Sequence, residues 1–233
     1  MNAVITGASR GIGKEVARIF ALNGYDLVLC SRNENNLLEM MAEMQREFPD
    51  VNVSGKAFDL GKKDQATLFG QWVTSQASSV DVLVNNAGTF IPGNISEEPD
   101  GALETMLEVN LFSAYHTTRS LLPKMMAAGS GHIFTVCSIA SLSAYPNGGA
   151  YSISKYALLG MTKNLRYELK PHGIKVTAII PGAVYTDSWK GSGVPEERIM
   201  EARDIARLIF SATQLSPQAV VEEIVVRPQL GDL

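Results

Sequence analysis

Short apolar runs alternate along the chain with longer stretches of helical period, and that alternation predicts its elements. The runs 3–6, 25–30, 51–58, 80–84, 132–136, 175–180 and 220–226 predict strands. Several of them, such as Ala3-Val-Ile-Thr6 and Val80-Asp-Val-Leu-Val84, are apolar at successive positions, as strands covered on both faces of a parallel sheet must be. Between them the spacing predicts helices over 12–23, 34–47, 63–77, 99–127, 151–170 and 202–213. Strands interleaved with helices in this way build βαβ units, so the expected fold is α/β, a doubly wound seven-stranded parallel sheet of the Rossmann type. No shift in composition divides the chain, which predicts one domain over 1–233. One stretch breaks the rhythm: 187–201 is polar, with two glycines and a proline, and is expected to form a short lid.

The whole chain has 233 residues, of which 45% are hydrophobic and 19% charged, a balance that excludes intrinsic disorder. The net charge of −4 gives no basic face with which to grip nucleic acid and no attraction to an anionic membrane. No apolar run approaches the roughly 18 residues that a membrane span needs. Nothing at the N-terminus reads as a signal peptide, so a cytoplasmic setting is expected. The two cysteines, Cys30 and Cys137, match no metal or redox spacing and read as buried thiols. The histidines His116, His132 and His172 have no partners at ligand spacing, and no metal is expected.

Three constellations carry chemistry. Thr6-Gly-Ala-Ser-Arg-Gly-Ile-Gly13 joins the first strand to the first helix. In that context Gly7, Gly11 and Gly13 allow a tight turn and a close approach of backbone N–H groups to a pyrophosphate, with the helix N-terminus adding partial positive charge. The second strand ends in Cys30-Ser31-Arg32, without the acidic residue that would hydrogen-bond a ribose 2′-OH. Arg32 and Arg10 instead suit a 2′-phosphate, because a guanidinium fork can engage it bidentately. Tyr151 and Lys155 lie four residues apart, on one helix face. A tyrosine exchanges protons near neutrality only when a fixed cation stabilises its phenolate, which makes the pair a candidate acid–base device.

Together these residues resemble the short-chain dehydrogenases/reductases, over nearly the whole chain. The glycine turn is similar to the cofactor turn of that family, Asp59-Leu60 to its adenine-contacting pair, and Asn85-Asn-Ala-Gly88 to its fourth-strand motif. Asn110 stands where the family has a helical catalytic Asn, and Ser138 precedes Tyr151 by the family spacing of thirteen residues. Pro181-Gly-Ala-Val-Tyr-Thr186 is similar to the segment whose Thr contacts the nicotinamide carboxamide. The resemblance implies an NADP(H)-dependent oxidoreductase. Tyr151 would be its general acid/base and Ser138 would hold the reacting oxygen. Lys155 would hold the nicotinamide ribose, and Asn110 would anchor a water leading to Lys155. Cofactor contacts are expected from Gly7, Ser9, Arg10, Gly11, Ile12, Gly13, Arg32, Asp59, Leu60, Asn86, Ala87, Gly88, Tyr151, Lys155, Pro181, Gly182, Val184 and Thr186.

The tail after residue 220 lacks the Asp-Gly-Gly typical of acyl-carrier-protein reductases. With the run ending at Trp189, it looks most like bacterial sepiapterin-reductase-like members. The expected substrate is therefore a small ketone or a pteridine side-chain carbonyl, walled by Ser138, Tyr145, Tyr151, Val184 and Trp189. A 3-oxoacyl-[acyl-carrier-protein] reductase is the alternative, with Lys190 or Arg198 meeting the acidic carrier. A non-catalytic NADP-sensing protein is the alternative of another class, which the complete tetrad disfavours. Glu97 and Glu98 read as solvated charges near a helix start. In the family the helices holding Asn110 and Tyr151 pair with those of a second copy, so a homodimer or homotetramer is expected. Leu103, Met106, Leu107, Leu111, Leu121, Leu122, Leu158, Leu159 and Leu165 would supply its apolar face.

Overall fold

The computed structural model of the chain describes residues 1–186, 189 and 193–233. Its elements run β1 (Asn2–Thr6), α1 (Gly11–Leu22), β2 (Asp26–Ser31), α2 (Glu34–Glu47), β3 (Val53–Ala57), α3 (Lys63–Gln76), β4 (Val82–Asn85), α4 (Ala102–Met106), α5 (Ser113–Ala128), β5 (Gly131–Val136), α6 (Gly149–Leu169), β6 (Ile174–Pro181), α7 (Ala202–Thr213) and β7 (Glu223–Val226). Among the described residues seven strands form one sheet in the order β3-β2-β1-β4-β5-β6-β7, every pairing parallel. The expected fold class is the one found.

Alternation along each strand divides the interior into two layers. Ala3, Ile5, Leu27 and Leu29 face a cluster completed by Phe20 of α1, Met40 and Met44 of α2 and Ile205 and Ile209 of α7. Val4, Val28 and Cys30 face the opposite way, onto Phe69 and Val73 of α3 and Leu121 and Met125 of α5. Because β1 sits between β2 and β4, the connections leave it toward opposite sides, and a crevice opens over the C-terminal ends of β1 and β4. The glycine turn after Thr6 and the Asn86-Ala-Gly88 segment both lie at this switch point.

Two departures from the expected elements bear on the site. The helix predicted over 99–127 starts at Ala102 and is interrupted by a wider π turn at Leu107–Phe112, from which α5 continues. π turns inside helices often occur at functional positions, and this one carries Asn110. The last strand begins at Glu223 rather than 220 and lies at the sheet edge, alternating exposed and half-buried residues. The segment expected to form a lid lies partly outside the described residues, which exclude Asp187, Ser188, Lys190, Gly191 and Ser192. Its described end returns through a single turn at Glu196–Arg198, and Met200 bridges Val184 by hydrogen bonds. Among the described residues no helix is long and apolar enough to cross a membrane, and no cluster of His, Cys, Asp or Glu could hold a metal ion.

Candidate active site

The glycine turn owes its shape to the segment after β4. Thr6 Oγ1 accepts the backbone N–H groups of Asn86 and Ala87, each at 3.0 Å. Asn86 Nδ2 donates to the carbonyls of Thr6 and Gly7, each at 3.1 Å. Gly7 has a left-handed φ of 64°, and a Cβ on it would come within 3.0 Å of Ala87 Cα. On Gly13 a Cβ would lie 2.3 Å from the Gly7 carbonyl oxygen, so no side chain fits there. A Cβ on Gly11 would lie 3.0 Å from Thr186 Cγ2, which brings the segment after β6 against the turn. Ser9 is engaged with Ser31 through their hydroxyls at 2.8 Å, tying the turn to the end of β2. Arg10 and Arg32 are both exposed beside that junction.

This turn fits the phosphate group expected of it. Helix α1 has no side-chain cap and no acidic residue in its first turn, which leaves its positive end open toward the crevice. Several of the expected contact residues can contribute only backbone, because their side chains point into the interior. Leu60 is buried with Phe58 and Phe69, Ile12 packs on the α1 layer, and Val184 is buried in that same layer. Val184 is therefore not a substrate wall. Asp59 Oδ1 accepts the Gly61 N–H at 3.3 Å, and Gly61 lies against Val109 of the π turn. Pro181 ends β6, and the Gly182 N–H donates to the Val226 carbonyl at 2.8 Å.

Tyr151 lies in the first turn of α6 and Lys155 one turn further on. Lys155 is buried, and its Nζ donates to the carbonyl of Val136, the last residue of β5, at 2.9 Å. The same nitrogen stands 5.7 Å from the centre of the Tyr151 ring. A Cβ on Gly88 would lie 3.3 Å from Asn110 Oδ1 and 3.8 Å from Lys155 Nζ, so these three residues meet. Asn110 is fully buried and its side chain is committed. Its Oδ1 accepts the Thr89 N–H at 2.7 Å, and its Nδ2 donates to the Thr89 carbonyl at 3.0 Å and Ser154 Oγ at 2.9 Å. The amide thus braces the loop after β4 against α6, with both of its N–H donors in use.

Ser138 follows β5 and starts a single turn, Ile139–Ser141, that packs on α6. Its Oγ accepts the Ala140 N–H at 3.2 Å, while Ser141 Oγ accepts the Ser138 N–H at 3.2 Å, a reciprocal cap that fixes the side chain. Its hydroxyl proton is left to donate. Tyr145 is 39% exposed, and burial of its phenol, with a smaller effect of Tyr151, pushes its pKa up to about 12. Tyr145 therefore stays protonated. The Trp189 N–H donates to the Thr186 carbonyl at 3.0 Å, and its two neighbours, Ser188 and Lys190, lie outside the described residues.

Three residues with no role in the sequence reading complete this geometry. Thr6 holds the two turns together. Phe90 sets its ring 4.9 Å from that of Tyr151, at 76°. Glu98 does not open a helix of its own; its Oε2 accepts the Ala150 N–H at 3.0 Å, at the start of the helix that carries Tyr151. The sequence signal was a charge near a helix start, which does not reveal a partner so far along the chain.

The comparisons agree with this geometry. Residues 1–196 match the family described as short chain dehydrogenase. An uncharacterized oxidoreductase of Staphylococcus saprophyticus is 33% identical over 226 residues, covering 97% of this chain and 96% of that protein. The structure of an alcohol dehydrogenase from the archaeon Thermococcus sibiricus, complexed with 5-hydroxy-NADP, is 31% identical with a TM-score of 0.89, over 97% of this chain and 96% of its own. That of L-sorbose reductase from Gluconobacter frateurii, complexed with NADPH and L-sorbose, is 28% identical with a TM-score of 0.89, over 97% and 94%. A family match over most of the sequence, joined to a glycine turn and a Tyr–Lys helix meeting at one switch point, places the chain in the short-chain dehydrogenase family.

Proposed function

We propose that this chain is an NADP(H)-dependent oxidoreductase that interconverts a small carbonyl compound and its alcohol. The observation that carries the reading is the meeting of Gly88, Asn110 and Lys155 beside Tyr151, at the crevice where the glycine turn lies. When bound, the cofactor supplies or accepts the hydride. Backbone groups of Gly7 to Gly13 and the open end of α1 would hold its pyrophosphate, and Arg10 and Arg32 its 2′-phosphate. The alcohol dehydrogenase and L-sorbose reductase with NADP-type ligands support that choice.

Tyr151 gives its phenolic proton to the substrate oxygen as negative charge develops there, and takes it back in the reverse direction. Ser138 donates its hydroxyl proton to the same oxygen, from a position that its cap with Ser141 fixes in advance. Lys155, fixed by the Val136 carbonyl, stabilises the phenolate left on Tyr151 and holds the nicotinamide ribose. The chain acts as one domain over 1–233.

A small ketone, or a pteridine side-chain carbonyl, is favoured over an acyl carried on an acidic protein. Arg198, expected to meet such a carrier, has Nη1 buried and without a hydrogen-bond partner among the described residues, so its guanidinium is not fully presented outward. The test is to follow NADPH oxidation with 2,3-butanedione, sepiapterin and acetoacetyl thioesters. Turnover of the first two well above the third is expected; the reverse order would favour the acyl-carrier reading.

A further inference from the structure

Phe90 is a large apolar residue left 44% exposed, yet it is rigidly placed. The residue before it is held on both sides, because the Asn110 side chain takes both the N–H and the C=O of Thr89. The Phe90 ring then stands edge-to-face on Tyr151, centroids 4.9 Å apart. Among the described residues it belongs to none of the buried apolar clusters, so the fold does not need it as core.

A second aromatic comes from the loop before α6. Tyr145 is also part-exposed, and its ring packs on Gly148, where a Cβ would come within 2.9 Å of Tyr145 Cε1. The two loops are fastened together. Gly93 bridges Gly148, the Gly93 N–H donates to the Asn147 carbonyl at 3.1 Å, and the Asn147 N–H donates to Asn94 Oδ1 at 3.1 Å. Phe90 and Tyr145 are thus held at fixed positions on adjoining loops at the Tyr151 end of α6.

Three polar side chains at this end of α6 are engaged within the chain. Asn94 Oδ1 holds Asn147, Glu98 Oε2 holds Ala150, and Asn110 holds Thr89 and Ser154. A polyol would need a partner for each hydroxyl it buries, since an unpaired polar group is costly. A flat apolar group needs only surface, and an aromatic face or edge beside the proton donor offers it.

We propose that the preferred carbonyl carries an aromatic or other flat apolar group next to the C=O, and that Phe90 is the residue that selects it. This rests on the carbonyl-reductase reading above and names its substrate class.

The test compares 1-phenyl-1,2-propanedione, 2,3-butanedione and L-sorbose with NADPH, in the wild type, Phe90→Ala and Phe90→Tyr. The phenyl diketone should exceed both others in kcat/KM by about tenfold or more, the range a well-fitted apolar contact gives. Phe90→Ala should lower kcat/KM for the phenyl diketone about tenfold more than for 2,3-butanedione, chiefly through KM, and Phe90→Tyr should restore it. NADPH affinity, read by fluorescence titration, should be the same in all three proteins, which reports an intact fold. Equal losses for both diketones would make Phe90 a mere support of Tyr151 and overturn the proposal. So would a wild type that prefers 2,3-butanedione or L-sorbose, although the carbonyl-reductase reading would then stand. A wild type that binds NADPH but reduces no carbonyl would overturn both.

Discussion

Glu98 Oε2 accepts the backbone N–H of Ala150, 52 residues further along the chain, and so caps the helix that carries Tyr151 and Lys155. Helix α6 has no side-chain cap from its own sequence, and Gly148 at its N-cap position has no side chain to offer. The first-turn N–H groups of a helix need acceptors, and a carboxylate there also meets the positive end of the helix dipole.

Glu98→Ala should therefore cost about 1 kcal/mol, the usual worth of a lost N-cap acceptor, as a lower midpoint of urea unfolding. Glu98→Gln keeps a side-chain oxygen acceptor and should lose less than half of that. Equal losses in the two variants would mean that the hydrogen bond contributes little and that the charge accounts for the effect.

His132 makes the fold sensitive to acid. It is 5% exposed, stacked on Phe134, with Nε2 2.7 Å from Thr177 Oγ1. Because the Thr177 hydroxyl donates to the Val221 carbonyl, Nε2 must be the donor, which fixes the neutral tautomer. Burial, helped by Lys175, pushes its pKa down to about 3, below the ordinary 6.5. The folded protein binds this proton less readily than the unfolded chain. The contribution is complete above pH 6.5 and is lost as pH falls toward 3, with a slope approaching roughly 1.4 kcal/mol per pH unit. His132→Asn should flatten the fall in stability between these limits, as measured by unfolding at successive pH values. Parallel curves for wild type and variant would contradict the assignment.

Arg32 tests the choice of cofactor. A charge-assisted hydrogen bond contributes about 1.5–3 kcal/mol, so Arg32→Ala should weaken NADPH binding roughly ten- to a hundredfold. NADH binding should change little. Equal effects on the two cofactors, in fluorescence titrations, would remove the 2′-phosphate role.

The strands and the site spacing were legible because their causes are local. Doubly covered strands must be apolar at successive positions, and Tyr151 and Lys155 must share a helix face. What was hidden depends on contacts between distant segments. The π turn at Leu107–Phe112 sits inside a run whose residues still read as one helix, because a π turn is set by backbone hydrogen bonding and has no residue signature of its own. Glu98 and Phe90 act on residues more than fifty positions away, and their own neighbours carry no trace of that. Leu60 and Val184 occupy motif positions expected to face ligand, but the packing of their layers draws both side chains inward.

The same difficulty affects the expected dimer face. Met106, Leu121, Leu158 and Leu159 are buried in this chain and cannot be its apolar surface. The exposed apolar side chains of those helices instead include Phe112, Tyr115, Ile153 and Tyr156, with Met126 and Tyr167 nearer their C-terminal ends. If two copies pair through them, Tyr156→Glu should shift the mass seen by light scattering toward the monomer. A wild type that is monomeric at micromolar concentration would contradict pairing altogether.

The central claim is that Tyr151 moves the proton while other residues hold the cofactor. Its most direct measurement is turnover of 2,3-butanedione by Tyr151→Phe, set beside NADPH affinity of the same protein. Loss of the phenolic hydroxyl should reduce kcat roughly a hundredfold or more, with NADPH binding changed by no more than a fewfold. A variant whose turnover stays within a fewfold of wild type would contradict the account.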